Sequence, residues 1–226
     1  MRALLIVAAL GVTLLADAQA GLAVQAGIGL GLWALLSWLI GRVSAEERRT
    51  LMICVVIATA GEMFLSLGWG LYTYRLGNIP LYVPPGHALM LLLGITLARR
   101  MPERVARAIV GCAAIYALAA AAAGLDTFGV LLCLVLAAAA LAMPAQRPLY
   151  ASTFVLSLAL ELAGTSLGNW RWAGEVPGLG LVTTNPPGAA GAIYCALDAL
   201  VAATSMLVAA RCGRMHRPVQ FGEAAR

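Results

Sequence analysis

Glu62 and Glu161 stand near the middles of long apolar stretches about a hundred residues apart, and each is followed by an aromatic-rich loop and then by Pro-Pro-Gly. A carboxylate at the centre of a bilayer costs about 2.5–3.5 kcal/mol on insertion scales. Two of them in matching settings therefore point to use. Asp198 is a third acid inside an apolar run, and counting ~1.5 Å per residue from the span ends puts all three close to one depth. A buried neutral carboxylic acid is a proton donor, and catalysis by Glu62, Glu161 and Asp198 is the chemistry expected of such a layer. The competing reading is interhelical glue, in which each acid only bridges neighbouring helices.

His87 directly follows Pro84-Pro85-Gly86, and the other histidine lies in the C-terminal tail. One histidine cannot build an H-x-x-x-H or di-iron cage, which excludes the metal-dependent desaturase and hydroxylase type of membrane enzyme. No metal is expected. His87 suits proton shuttling or substrate contact, or it simply bonds a loop carbonyl. Trp69, Tyr72, Tyr74, Tyr82, Trp170 and Trp172 cluster in and around two loops. Such rings mark membrane interfaces, and beside the acid-bearing helices they can also line a cleft and stabilise a cation. Arg75 and Arg171 follow the two helices and either hold an anionic head group or snorkel. Asn78 and Asn185 precede the prolines as architectural residues, with Asn185 also assigned to substrate binding.

The elements that must position these groups are helices in a membrane. The chain has 226 residues, 62% of them hydrophobic and 11% charged, with a mean hydropathy of +0.90. Apolar runs near the ~20 residues that span a bilayer recur from end to end, without the period-2 alternation of a barrel. Backbone groups in lipid must be satisfied internally, which leaves helices. The expectation is an all-α, polytopic membrane protein forming a single domain over 1–226. Its eight spans lie at roughly 3–17, 21–41, 50–73, 82–98, 105–123, 127–143, 149–169 and 189–210, followed by a short cytoplasmic tail at 211–226.

All fifteen basic residues are Arg. Without lysine there is neither a Schiff-base pigment nor a P-loop, and no cofactor is expected. The arginines are too dispersed for a nucleic-acid footprint. They read as topology: Arg2, Arg42, Arg48, Arg49, Arg99, Arg100, Arg104, Arg107, Arg147, Arg211, Arg214 and Arg217 fall on one side of eight spans, and only Arg75 and Arg171 on the other. Positive charge inside then puts both termini in the cytoplasm, in the inner membrane of a bacterium. A competing reading takes Ala3–Leu15 as a secretory signal cleaved after Ala18-Gln19-Ala20. The five cysteines are widely spaced and read as small buried hydrophobes. The alanine-rich fifth and sixth spans read as packing helices, and Gly27-x-x-x-Gly31 as a weak motif for homo-oligomers.

The landmarks repeat. Ser66-Leu67-Gly68 aligns with Ser166-Leu167-Gly168 at an offset of 100, and Pro84-Pro85-Gly86 with Pro186-Pro187-Gly188 at 102. The glutamates align only with a one-residue slip. The expectation is two repeats, 1–100 and 101–210, each of four helices and therefore parallel, facing one another across a central cleft.

The segment 70–84, G-L-Y-T-Y-R-L-G-N-I-P-L-Y-V-P, with its upstream Glu62, resembles the Glu…G-x-Y-x-Y…Pro pattern of membrane carotenoid-biosynthesis proteins of the hydratase type. Glu161 with N-W-R-W and P-P-G is similar to small membrane lycopene-cyclase domains, although the Pro-x-Glu-Glu acid pair of those domains is missing. The resemblance implies protonation of an alkene or epoxide by a buried acid, with the cation captured by water or ring closure. On that reading the chain is a membrane enzyme that hydrates, cyclises or isomerises an isoprenoid or other lipid. Glu62 or Glu161 donates the proton, Asp198 accepts one or orients the donor, and Trp69, Tyr72, Trp170 and Trp172 shield the cation. The alternatives are a proton- or cation-coupled carrier with a midplane carboxylate site and a non-catalytic assembly factor.

Overall fold

A computed structural model describes residues 1–211; the expected tail, with Cys212, Arg214 and Arg217, lies outside them. The described residues form eight α-helices: α1 (Arg2–Asp17), α2 (Leu22–Ile40), α3 (Ala45–Glu62), α4 (Val83–Ala98), α5 (Glu103–Ala122), α6 (Phe128–Ala142), α7 (Arg147–Ser166) and α8 (Gly191–Arg211). Five helical segments are long and apolar enough to cross a membrane: Leu22–Ile40, Ala45–Gly68, Glu103–Ala122, Pro144–Ser166 and Gly191–Ala210. Helices α1, α4 and α6 are shorter, at 16, 16 and 15 residues.

Local sequence sets the helix ends. Ser44 and Glu47 form a reciprocal capping box at the start of α3, so two otherwise orphaned backbone donors are satisfied. Pro84 and Pro85 sit in the first turn of α4, where a missing N–H costs nothing. Apart from Arg75 and Arg171, the arginines of the described helices and their connecting turns gather at one end of the bundle. Arg2 bonds Thr96 near the end of α4, Arg99 bonds Glu47 at the start of α3, and Arg147 bonds Glu103 at the start of α5.

Helices α3, α4, α7 and α8 form the inner bundle, in which α3 packs on both α4 and α8 and α7 does the same. Helix α4 is the most enclosed, with an unbroken buried run from Ala88 to Ile95. That explains why it is apolar all round instead of striped. The pair α1 and α2 packs against α4, and α5 and α6 pack against α7 and α8. Ala106, Ala113, Ala117 and Ala120 make the inward stripe of α5, as close-packing small residues would. Cys54, Cys133 and Cys195 are buried, whereas Cys112 is exposed. Gly27 and Gly31 face outward with nothing nearby; Gly29 is the packed glycine of α2, where an added Cβ would lie 2.7 Å from that of Leu81.

Two short strands cross the end of the bundle opposite the arginines. Strand β1 (Tyr72–Tyr74) pairs antiparallel with β2 (Trp170–Trp172), matching Tyr72 with Trp172, Thr73 with Arg171, and Tyr74 with Trp170. The ladder closes reciprocally: Arg75 N–H donates to Asn169 at 2.9 Å and Ala173 N–H to Leu71 at 3.0 Å. A local two-fold therefore passes between Thr73 and Arg171. It equates Gly70 with Gly168, two residues before each strand and both left-handed, at φ 73° and 76°. The sequence match of Ser66-Leu67-Gly68 to Ser166-Leu167-Gly168 is thus not the geometric one. Residues Met63–Gly68 form a π-helical turn, which takes up one extra residue, so Tyr72 follows Glu62 by ten while Trp170 follows Glu161 by nine. A second hairpin, β3 (Glu175–Val176) with β4 (Leu181–Val182), lies in the segment that leads from β2 to α8.

Each outer helix pair ends in an acid that ties down the opposite loop. Asp17 is fully buried and accepts from Gln25 (2.7 Å) and Tyr82 (2.8 Å), with Arg75 3.8 Å away. Arg75 also donates to the carbonyls of Asp17 and Ala20. Asp126 accepts from the backbone of Gly129 and Gly188, both at 2.8 Å. Asp17→Ala would strand buried donors, at about 1–3 kcal/mol each. Its unfolding midpoint in detergent is expected to fall well below the parent's, and an unchanged midpoint would show that the network does not anchor α1.

Candidate acid–base site

Glu62 closes α3 and Glu161 lies in the second turn from the end of α7, both facing inward with 6% exposure. Each follows the same local plan. The helix ends just beyond the glutamate, a left-handed glycine reverses the chain, and a three-residue strand returns over the helix end with its first and third side chains buried. Those side chains are the hydrogen-bond donors. Tyr72 and Tyr74 donate their hydroxyls to Glu62 Oε2 at 2.9 and 2.7 Å. Trp170 and Trp172 donate their indole N–H groups to Glu161 Oε2 at 2.8 and 3.0 Å. Gly164 leaves room for the Trp170 ring, which any added Cβ would strike.

The other carboxylate oxygens differ. Glu62 Oε1 lies 3.0 Å from His87 Nε2, and Glu161 Oε1 accepts from the Tyr194 hydroxyl at 3.3 Å. The His87 and Tyr194 rings stack with centroids 4.8 Å apart and planes 19° from parallel. The two carboxylates are therefore linked through one ring stack. Tyr72 lies 5.0 Å from Trp172 and Tyr74 6.1 Å from Trp170, centroid to centroid, which completes an aromatic roof.

These groups line a single cavity, otherwise walled by Leu10, Leu14, Val83, Met90, Leu160 and Ile193 among others. Its volume of about 70 Å³ holds a few waters or a short part of a chain molecule. Burial, and then the adjacent Glu62 carboxylate, push the Tyr72 and Tyr74 phenols well above their ordinary range. Both remain donors at any ordinary pH. Tyr82 is raised in the same way by burial and by Asp17.

Of the residues picked out in the sequence, Glu62, Glu161, His87, Tyr72, Tyr74, Tyr82, Trp170 and Trp172 come together here. The others sit elsewhere. Trp69 donates to the Pro177 carbonyl at 2.8 Å, Arg75 is bound to Asp17 and Ala20, and Arg171 is exposed on the outer face of β2. Asn185 accepts from Trp172 N–H at 2.9 Å and so steadies the roof from behind. Asn78 donates to Gln25 at 2.9 Å.

Asp198 does not share the depth of the glutamates. It hydrogen-bonds Thr153 and acts electrostatically on Cys195 and Cys54, and Thr153 and Cys54 each precede their glutamate by eight residues, which is ~12 Å along a helix. The cause is the start of α8. Residues 186–190 do not continue the helix outward, and Gly191 packs directly on the Phe154 backbone, which carries the whole of α8 toward the arginine end.

Tyr194 is the site residue that sequence reading missed. Its place one turn before Asp198, on the same helix face, was the available signal.

No protein-family model matches the chain, and neither a curated protein nor a solved structure matches it. Among the described residues no group of His, Cys, Asp and Glu could hold a metal ion.

Because both roof phenols ionise above the ordinary value of about 10, Tyr72→Phe should remove no phenol that titrates near that pH. The ultraviolet phenolate titration of the variant is expected to superimpose on the parent's through that region. A missing phenol there would contradict the burial of Tyr72 against Glu62.

Proposed function

We propose that the chain is an integral membrane enzyme in which the Glu62–His87 pair transfers a proton to or from a lipid, with Glu161 stabilising the positive charge that forms. The observation that carries this reading is the chemical inequality of the two carboxylates. Glu62 touches an imidazole, which can both take and give a proton. Glu161 is held on one oxygen by two indole N–H groups, which only donate. An acid–base couple facing a fixed counter-charge across an apolar, aromatic-lined space suits protonation of an alkene and shelter of the resulting cation. Water capture, ring closure or loss of a neighbouring proton would then give hydration, cyclisation or isomerisation.

The substrate proposed is an isoprenoid or related lipid, in keeping with the resemblance of residues 70–84 to carotenoid-modifying membrane proteins. A cavity of about 70 Å³ admits only the reacting end of such a molecule, so the rest would lie among the helices or in the bilayer. The wider arrangement belongs to the same proposal: eight spans with α1, α4 and α6 as short ones, arginines toward the cytoplasm of a bacterial cell, and two parallel four-helix repeats. The two-fold at Thr73 and Arg171 and the matched packing of α3 with α4 and α7 with α8 support the repeats. The same small cavity also favours a second reading, a carrier that binds a proton or cation between the carboxylates.

Comparison of the polyisoprenoid and lipid profile of a host with and without the intact chain tests the proposal. A new or depleted species is expected with the parent, and Glu62→Gln and His87→Gln should each cut its formation by about 10²–10⁴-fold. Turnover undiminished in both variants would refute the assignment. Proton-coupled uptake in proteoliposomes with an unaltered lipid profile would favour the carrier.

A further inference from the structure

The inward face of α7 below Glu161 is polar where the matching face of α3 is not. Tyr150, Thr153, Ser157 and Glu161 recur at helical spacing and are all buried, at 1%, 3%, 0% and 6% exposure. Ninety-nine residues earlier, the same positions below Glu62 are Leu51, Cys54 and Ala58, equally buried. The polar face therefore belongs to one half only. It starts at the first turn of α7, where Arg147 marks the arginine-bearing end, and it leads to the carboxylate site.

Asp198 lies across from this face and interacts electrostatically with His87, Tyr150 and Cys195. Ordinary helix chemistry accounts for the small hydroxyls, since Thr153 bonds the Leu149 carbonyl at 3.0 Å and Ser157 bonds that of Thr153. It does not account for three other atoms. Asp198 Oδ2, the Tyr150 hydroxyl and His87 Nδ1 are buried without a hydrogen-bond partner among the described residues. An unpaired buried polar atom costs about 1–3 kcal/mol, and groups so placed are commonly bridged by ordered water.

We propose that this face of α7, with Asp198 opposite it, is a proton route between the arginine-bearing end of the bundle and His87. The proposal rests on the acid–base reading of Glu62 and His87 and names how that pair exchanges protons with solvent. A proton leaves the Asp198 carboxyl through bridging water and arrives at His87 Nδ1, while His87 Nε2 releases its own proton to Glu62 Oε1. Asp198 is recharged from solvent past Tyr150. Asp198 touches none of the reacting atoms in this scheme and acts through His87.

The test needs no substrate. The full chain carrying His216→Gln and labelled with ¹⁵N-histidine is reconstituted in phospholipid vesicles, and replacement of the His87 imidazole proton by deuterium is followed by solid-state NMR after transfer to heavy water. Asp198→Asn is expected to slow exchange tenfold or more, Asp198→Glu to restore a near-parental rate, and Ser157→Val to slow it by a smaller factor. Exchange at the parental rate in Asp198→Asn overturns the route. Equal slowing in Asp198→Glu and Asp198→Asn assigns Asp198 a packing role and overturns it as well. If Asp198→Asn does not fold, Ser157→Val decides the matter, since an unchanged rate there also excludes the route. A chain that alters no lipid would remove the catalytic reading and leave this result standing.

Discussion

A carboxylate inside an apolar bundle must find donors, and here each finds two on a strand that is itself paired with the strand serving the other. Tyr72 and Tyr74 cannot reach Glu62 unless β1 lies flat across the helix ends, and β1 has only β2 to complete its backbone hydrogen bonds. Unpaired backbone groups at that depth would be costly. Satisfaction of one acid therefore requires the placement of the other. This mutual dependence explains why the left-handed turns at Gly70 and Gly168, the π-helical turn after Glu62 and the space at Gly164 all converge on three residues of strand.

Around that centre the inner four helices pack on one another in a matched way and the outer four less so. Helix α1 packs on α4, while α5 packs on α7, and the acids that anchor the two outer pairs choose different partners. Asp17 takes side chains and Asp126 takes mostly backbone N–H groups. The chemistry follows the departures from symmetry more than the symmetry. His87 occupies the place after Pro-Pro-Gly that Ala189 fills in the second half, and polar residues line only the second glutamate's helix. The two carboxylates sit on similar local frames, and single residue differences between those frames give them different partners.

Much of this was legible in the residues. An acid in an apolar run picked out both carboxylates, and the aromatic residues after each read as interface or cation-shielding rings. That Tyr72, Tyr74, Trp170 and Trp172 donate to the acids was hidden, because an all-helical reading does not announce the strand that puts every second side chain on one face. The recurring landmarks were visible, but the register in which the two strands pair was not. Ser-Leu-Gly recurs, yet only a backbone conformation reveals that Gly168 corresponds to Gly70 and not to Gly68. The depth of Asp198 was misjudged for a related reason. Hydropathy begins the last span near residue 189, and nothing in it says that the preceding loop enters the bundle. Arg75 read as a ligand for a head group because its acceptors, Asp17 and the Ala20 carbonyl, are more than fifty residues away in sequence.

The pairing of β1 with β2 fixes how Glu62 and Glu161 face each other. Thr73 and Arg171 oppose each other on the outer face as a hydrogen-bonded antiparallel pair, for which Cα atoms lie about 5.5 Å apart. That separation falls within the range of about 4.4–6.8 Å that a disulfide bridges. The direct measurement is oxidative cross-linking of Thr73→Cys with Arg171→Cys in native membranes, mapped by peptide mass. The account predicts a disulfide within one chain. No bond at that pair, together with efficient bonding of Thr73→Cys to Ala173→Cys, would place the strands in another register and contradict the facing arrangement of Glu62 and Glu161.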